Sequence, residues 1–298
     1  MHKSPPMSLD GVWMARIAWF ALPLTVGPAL AAALGEASAP VQIVGATLAW
    51  IAWGTGLVAV LVPRTVGLTA LRIGAPAALA VALWAAATNG EVGPAEIVAV
   101  AWAAAAAAVV LFVPALADAF VDGSSYGPER RFVLRLPANL LLGPVELAWL
   151  AVAAGIVTGP LLLAARQWVA GAVAVAIGAP LVWLGLRALH QLSRRWVVYV
   201  PAGVVIHDPL ALSDPVLFPK RSVRSLGAAA VDSEGTATDV SGRALGLVLE
   251  LRLGEPVEIG LAARRAGERK VETDRLLFTP ARPGAVLSEA ASRGFPLA

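Results

Sequence analysis

The sequence predicts an α-helical polytopic membrane bundle of six transmembrane helices, followed by a small antiparallel β-barrel capped by a C-terminal helix. Three observations predict it. Of the 298 residues, 58% are hydrophobic and only 14% are charged, against roughly a quarter charged in an ordinary soluble domain. The charge is uneven: residues 1–190 hold nine Lys/Arg and eight Asp/Glu, while 191–298 hold fourteen and twelve. Near Trp196 the apolar pattern also changes, from long unbroken runs to strand-like alternation.

Apolar runs of about 20 residues span a hydrocarbon core of roughly 30 Å as helices. Six are present: Val12–Leu34, Val41–Val62, Val66–Ala87, Ala95–Ala117, Asn139–Val157 and Gln167–Leu189. Turn chemistry separates them at residues 35–40, at Pro63-Arg64, at residues 89–94, over Asp118–Pro137 and at Thr158-Gly159-Pro160. The last break is weakly marked, because Leu161–Ala165 is apolar enough to extend either neighbour. Met1 to Asp10 is short and polar. The run that follows is too long for a signal-peptide core and lacks a convincing cleavage site, so a retained first helix is expected.

Positive charge sets the expected orientation. Lys3, Arg16, Arg64, Arg72, Arg130, Arg131, Arg135, Arg187, Arg194 and Arg195 fall on one side of the six runs; Arg166 lies opposite, with Glu36, Glu91 and Glu96. Both termini and the Asp118–Pro137 loop are therefore expected in the cytoplasm. Inside the runs, Ala103–Ala108 and the repeat Ala170, Ala174, Gly178 offer small faces for close helix approach. Pro23, Pro28, Pro76, Pro114 and Pro180 are expected to kink or end helices. Trp13, Trp50, Trp53, Trp84, Trp102, Trp149 and Trp168 read as interfacial belt residues.

From Trp196 the chain reads as strands. Trp196–Val200, a Pro-Ala-Gly turn and Val204–Ile206 form a hairpin, and Asp214–Phe218 a further short strand. Leu247, Leu249, Leu251 and Leu253 alternate with polar positions, and Gly254-Glu255-Pro256 is expected to turn the chain into a second alternating strand at Val257, Ile259 and Leu261. Val271–Phe278 adds one more. Pro283–Arg293 closes as a helix, with Pro at its start and Gly294 just past its end. Ala228–Ser241 reads as a loose polar loop.

Three segments give this part a resemblance to bacterial pleckstrin-homology-like (PH-like) domains: Arg195–Ile206, Val216–Leu226 and Phe278–Pro283 before the closing helix. The resemblance covers Arg194–Ala298 and implies a barrel attached to membrane helices. It divides the chain into 1–190, a six-helix domain carrying the loop 118–137, and 191–298, a cytoplasmic domain.

Candidate sites follow from charge. In the loop, Ser124 and Ser125 offer donors for an anion, with Tyr126 beside them, and Arg130, Arg131 and Arg135 suit a phosphate or lipid headgroup. The competing reading is a polar loop whose arginines obey the topology rule and snorkel to headgroups. The acidic Asp118, Asp122 and Glu129 argue for a specifically folded loop. Arg16, Arg72 and Glu146 are intramembrane polar residues, which are costly in hydrocarbon; an ion pair of Glu146 with Arg16 or Arg72 is the plain alternative to a site. Lys220, Arg221 and Arg224, and Arg264 with Arg265, form basic patches suited to an anionic leaflet.

The absence of cysteine excludes disulfides and Cys-based metal or redox chemistry. The three histidines show no metal-ligand spacing, no nucleophile stands in an elbow motif, and no basic patch is interleaved with aromatics as nucleic-acid binding requires. The expectation is therefore no cofactor, no metal and no nucleic-acid partner. Richness in Ala, Gly, Pro and Arg points to a bacterium of high GC content. Two functions remain: a non-enzymatic scaffold or regulator in the plasma membrane, meeting lipid and a protein partner, or a transporter, flippase-like factor or lipid-headgroup enzyme with a polar site open to the cytoplasm.

Overall fold

The computed structural model describes residues 9–89, 92–230, 237–262 and 269–298. They divide into two compact units. One comprises the chain up to Phe120 together with Glu146–His190; the other comprises Val121–Val145 together with Gln191–Ala298. The expected division at residue 190 left the segment 121–145 with the helices. It joins the second unit instead, because its backbone pairs there.

The first unit holds six helical segments long and apolar enough to cross a membrane. The first is α1 (Leu9–Phe20), α2 (Leu22–Thr25) and α3 (Gly27–Leu34), interrupted near Pro23 and Pro28. Then come α4 (Ala39–Leu61), α5 (Thr65–Thr88) and α6 (Pro94–Phe112), the last stopping just before Pro114, which opens the short α7 (Pro114–Asp122). After the second unit's first strand, α8 (Pro144–Ala164) and α9 (Trp168–Ser193) complete the set. The expected break at Thr158–Pro160 is not there: α8 runs through Pro160, and the turn falls at Arg166, whose φ is +61°. Pro76 and Pro180 likewise lie inside helices that continue past them, so those prolines do not end a helix.

Small residues carry the packing where lipid offers no contrast with a side chain. On α6 the buried stripe is Ala99, Ala103, Ala106, Ala107 and Val110, facing α5 with its buried Leu68, Leu71, Ala75, Ala82 and Ala85. On α9 the glycines Gly171, Gly178 and Gly185, seven apart, are buried; Ala170, in the expected small face, is exposed. A Cβ on Gly178 would stand 3.2 Å from the Cα of Gly155 on α8, and one on Gly185 would stand 3.0 Å from the Ala148 carbonyl oxygen. The α8–α9 hairpin is a glycine-seamed contact.

Three of the expected belt tryptophans do a different job. Trp53 Nε1 donates to the carbonyl oxygen of Trp19 at 3.1 Å, and Trp19 Nε1 donates to that of Trp53 at 2.8 Å. Trp102 donates to Ala18 O at 2.8 Å and Trp149 to Ile73 O at 3.0 Å. An indole N–H in an apolar medium needs an acceptor, and backbone carbonyls of neighbouring helices supply it. Trp13, Trp50, Trp84 and Trp168 are exposed, as a belt requires.

The second unit has eight strands among the described residues. Strands β1 (Arg130–Val133), β2 (Trp196–Val200), β3 (Gly203–His207) and β4 (Val216–Pro219) form one antiparallel sheet in that order. Strands β5 (Val223–Ala228), β6 (Thr238–Asp239), β7 (Leu249–Leu261) and β8 (Arg269–Phe278) form another, in the order β5-β7-β8-β6, with β6 parallel to β8. The expected barrel is not closed: a turn at Lys220–Ser222 separates β4 from β5, and the two do not pair. Gly254-Glu255-Pro256 does not reverse the chain either. It forms a bulge within one strand, and β7 pairs β8 from Leu249↔Phe278 to Leu261↔Arg269. The expected loop at Ala228–Ser241 contains β6; its residues 231–236 lie outside the described residues.

The core lies between the sheets. Phe132, Val197, Tyr199, Ile206 and Phe218 from the first sheet meet Leu226, Leu249, Leu251, Leu276 and Phe278 from the second. Helix α10 (Pro283–Ser292) closes it with Val286 and Ala290, and Gly294, at φ +68°, takes the left-handed position past its end.

Candidate functional site

The Asp118–Pro137 segment is where the sequence placed its strongest candidates, and it holds the end of α7, a turn and strand β1. Arg130, Arg131, Phe132 and Val133 lie opposite Tyr199, Val198, Val197 and Trp196. Beyond β1, Arg135 N donates to Thr279 O and Ala281 N to Val133 O, both at 2.8 Å. The segment thus pairs with β2 and with the chain just past β8, and it ties one sheet to the other.

Several of its side chains serve the same task. Asp122 accepts from Arg130 Nη1 at 2.7 Å, from the Arg131 backbone N–H at 2.9 Å and from Ser125 Oγ at 2.9 Å. Glu129 accepts from Arg131 Nη2 at 3.1 Å. Arg131 also lies over the Trp196 ring at 5.5 Å, and Trp196 stacks on His207 at 4.8 Å with only 11° between the planes. Pro128 O accepts from Arg293 Nη2 at 2.6 Å, which fastens the loop to the end of α10. Arg130, Arg131 and Ser125 thus each meet a carboxylate of the same loop. Ser124 and Arg135 are exposed, and Tyr126 is 87% exposed at the tip of the turn.

The group that sequence reasoning missed is Arg195 with Asp208. Both are buried, and they meet as a fork: Nε to Oδ1 at 2.8 Å and Nη2 to Oδ2 at 2.6 Å. Arg195 Nη1 continues to the Arg135 carbonyl oxygen at 2.8 Å, and Asp208 also accepts from Leu210 N. Arg195 looked like one more topology charge. The signal was in the hairpin: Trp196 pairs with His207, and one step further outward brings 195 beside 208. Tyr199 is a second buried centre. Its hydroxyl donates to Val286 O at 3.1 Å, its ring meets Phe132 and Phe295 edge-on, and burial pushes its pKa upward.

The remaining candidates are separate from these. Lys220 and Arg221 line a shallow groove with Ala202, Pro219, Gly294 and Pro296, and Lys220 Nζ donates to Arg293 O at 2.6 Å. Arg224 is exposed on β5. Arg264 and Arg265 lie outside the described residues. In the helical unit, Arg16 Nε donates to Val60 O at 3.0 Å. Arg72 and Glu146 are each engaged within the chain. His190 Nδ1 and the buried Thr69 hydroxyl are 3.0 Å apart, joining α9 to α5.

No protein-family model matches the chain, and no curated protein or solved structure is significantly similar to it.

Proposed function

We propose that the chain is a non-enzymatic scaffold or regulator of the bacterial plasma membrane, with both termini and a PH-like sheet domain in the cytoplasm. The observation that carries this reading is the pairing of β1 with β2. Paired strands lie on one face of a membrane, so the chain between Val133 and Trp196 crosses an even number of times. Two apolar helices, α8 and α9, stand there. Four candidate spans before β1 support an N-terminus on the same face. The excess of Lys and Arg among the residues expected on that face supports a cytoplasmic reading of it.

Three chain passages join the sheet unit to the helices, at residues 120–121, 145–146 and 190–191. A domain sewn in this way, with Arg130, Arg131 and Arg195 held in internal ion pairs, suits the display of a surface more than turnover of a substrate. The exposed Arg221 and Arg224 and the groove beside Lys220 are the surface to test. Photo-crosslinking side chains placed at Arg221 and Arg224 of the full chain in intact cells are expected to capture a discrete protein. Capture of lipid alone at both positions would contradict the scaffold reading.

A further inference from the structure

Arg16 combines a structural role with an open one. Its Nε donates to Val60 O, a carbonyl in the last turn of α4, where the helix supplies no donor of its own. Its Cζ stands 4.9 Å from the centre of the Trp13 ring, which holds the guanidinium plane. These contacts use one of five N–H donors. Nη1 and Nη2 have no hydrogen-bond partner and no carboxylate among the described residues, and the side chain is only partly buried.

Arg16 sits at the head of an open groove lined by Trp13, Ile17, Phe20, Ala21 and Leu24. Leu24 is 80% exposed and Ile17 60%. At 1.5 Å per residue, Trp13 to Leu24 extends about 16 Å, close to one leaflet of a hydrocarbon core of about 30 Å. The groove therefore has, at one end, a cation whose planar fork meets no carboxylate among the described residues, and an apolar wall one leaflet deep below it. A fork of two terminal nitrogens matches two oxygens of a phosphate.

We propose that this groove holds one phospholipid with an anionic headgroup, its phosphate on Nη1 and Nη2 of Arg16 and an acyl chain along Ile17, Phe20 and Leu24. A zwitterionic lipid brings its own ammonium to its phosphate and leaves the net charge of Arg16 uncompensated, so the site selects for net negative charge. This requires α1–α3 to face lipid and is independent of the scaffold reading.

The test is native mass spectrometry of the full chain with equimolar phosphatidylglycerol and phosphatidylcholine of identical acyl chains. The wild type is expected to retain one phosphatidylglycerol in preference, and Arg16→Gln to lower that preference about fivefold, as expected for one interfacial charge. Because Arg16 also caps α4, the paired change Phe20→Ala with Leu24→Ala, which leaves the cap intact, is expected to lower retention of the bound lipid as well. Equal retention of the two lipids by the wild type, as for annular lipid alone, overturns the proposal. So does unchanged retention in the Phe20→Ala, Leu24→Ala variant, even where Arg16→Gln fails to fold.

Discussion

Arg195 and Asp208 form a two-point ion pair sealed inside the sheet unit, with N···O distances of 2.8 and 2.6 Å. The third nitrogen of Arg195 binds the backbone of the segment that arrives from between the fourth and fifth apolar helices. Removing one member strands the other charge in an apolar interior, at about 3–5 kcal/mol. Asp208→Leu is therefore expected to lower the melting temperature of the purified chain sharply. Arg195→Met combined with Asp208→Leu is expected to cost less than Asp208→Leu alone, and thermal unfolding of the two variants side by side decides it.

His207 gives the sheet unit a pH dependence. Burial against the Trp196 ring lowers its pKa, and the nearby Arg194 cation adds to the effect against the hydrogen bond that His207 Nδ1 makes to Arg194 O at 2.7 Å. The unfolded chain thus binds the proton more readily. The associated stability is present above the unfolded histidine value of about 6.5 and is lost as pH falls toward the lower folded value. Amide exchange in β2 and β3 is expected to accelerate on acidification below pH 6.5, and His207→Phe is expected to flatten that slope.

Asp122 organises the start of β1 through three accepted hydrogen bonds. Arg130 is one third exposed in its ion pair with Asp122, so Arg130→Gln is expected to cost under about 1 kcal/mol. Asp122→Ala removes all three partners at once and is expected to cost about 1–3 kcal/mol. Protease cleavage within residues 123–129 reports the difference, rising more in Asp122→Ala than in Arg130→Gln.

The α8–α9 seam admits no added side chain where Gly155 and Gly178 face each other. Gly178→Leu is expected to push the two helices apart, at about 1–3 kcal/mol for overpacking. Ala174→Leu, one turn away and half-buried, is expected to cost less. Unfolding by denaturing detergent ranks the two.

Much of this architecture was legible from local pattern. The long apolar runs, the Gly/Pro breaks around them and the 196–207 hairpin follow from period and turn chemistry, because each is decided by nearby residues. β1 was hidden because its arginines satisfied a charge rule, although Phe132 and Leu134 alternate with Arg131, Val133 and Arg135 between Pro128 and Pro137. β7 was read as two strands because Gly and Pro usually mark turns; pairing with β8 on both sides of Gly254–Pro256 overrode that preference with a bulge. The tryptophan ties and the glycine seam depend on which helices are neighbours, and that is not written in any single helix. The carboxylates noted at Asp122 and Glu129 are partners of the loop's own Arg130 and Arg131, a pairing that depends on how the turn between them folds and not on local pattern.

The segment between the fourth and fifth apolar helices supplies a strand, β1, to the sheet unit, paired with β2. The chain has no cysteine, so introduced pairs report without background. Arg131 lies opposite Val198, and directly opposed residues of an antiparallel pair stand about 4.5–5.5 Å apart at Cα, within disulfide reach. Under mild oxidation in native membranes, Arg131→Cys with Val198→Cys is expected to cross-link rapidly, and Arg131→Cys with Val200→Cys slowly. Failure of the first pair to form, or equal rates for both, would contradict the pairing and with it the account of the chain.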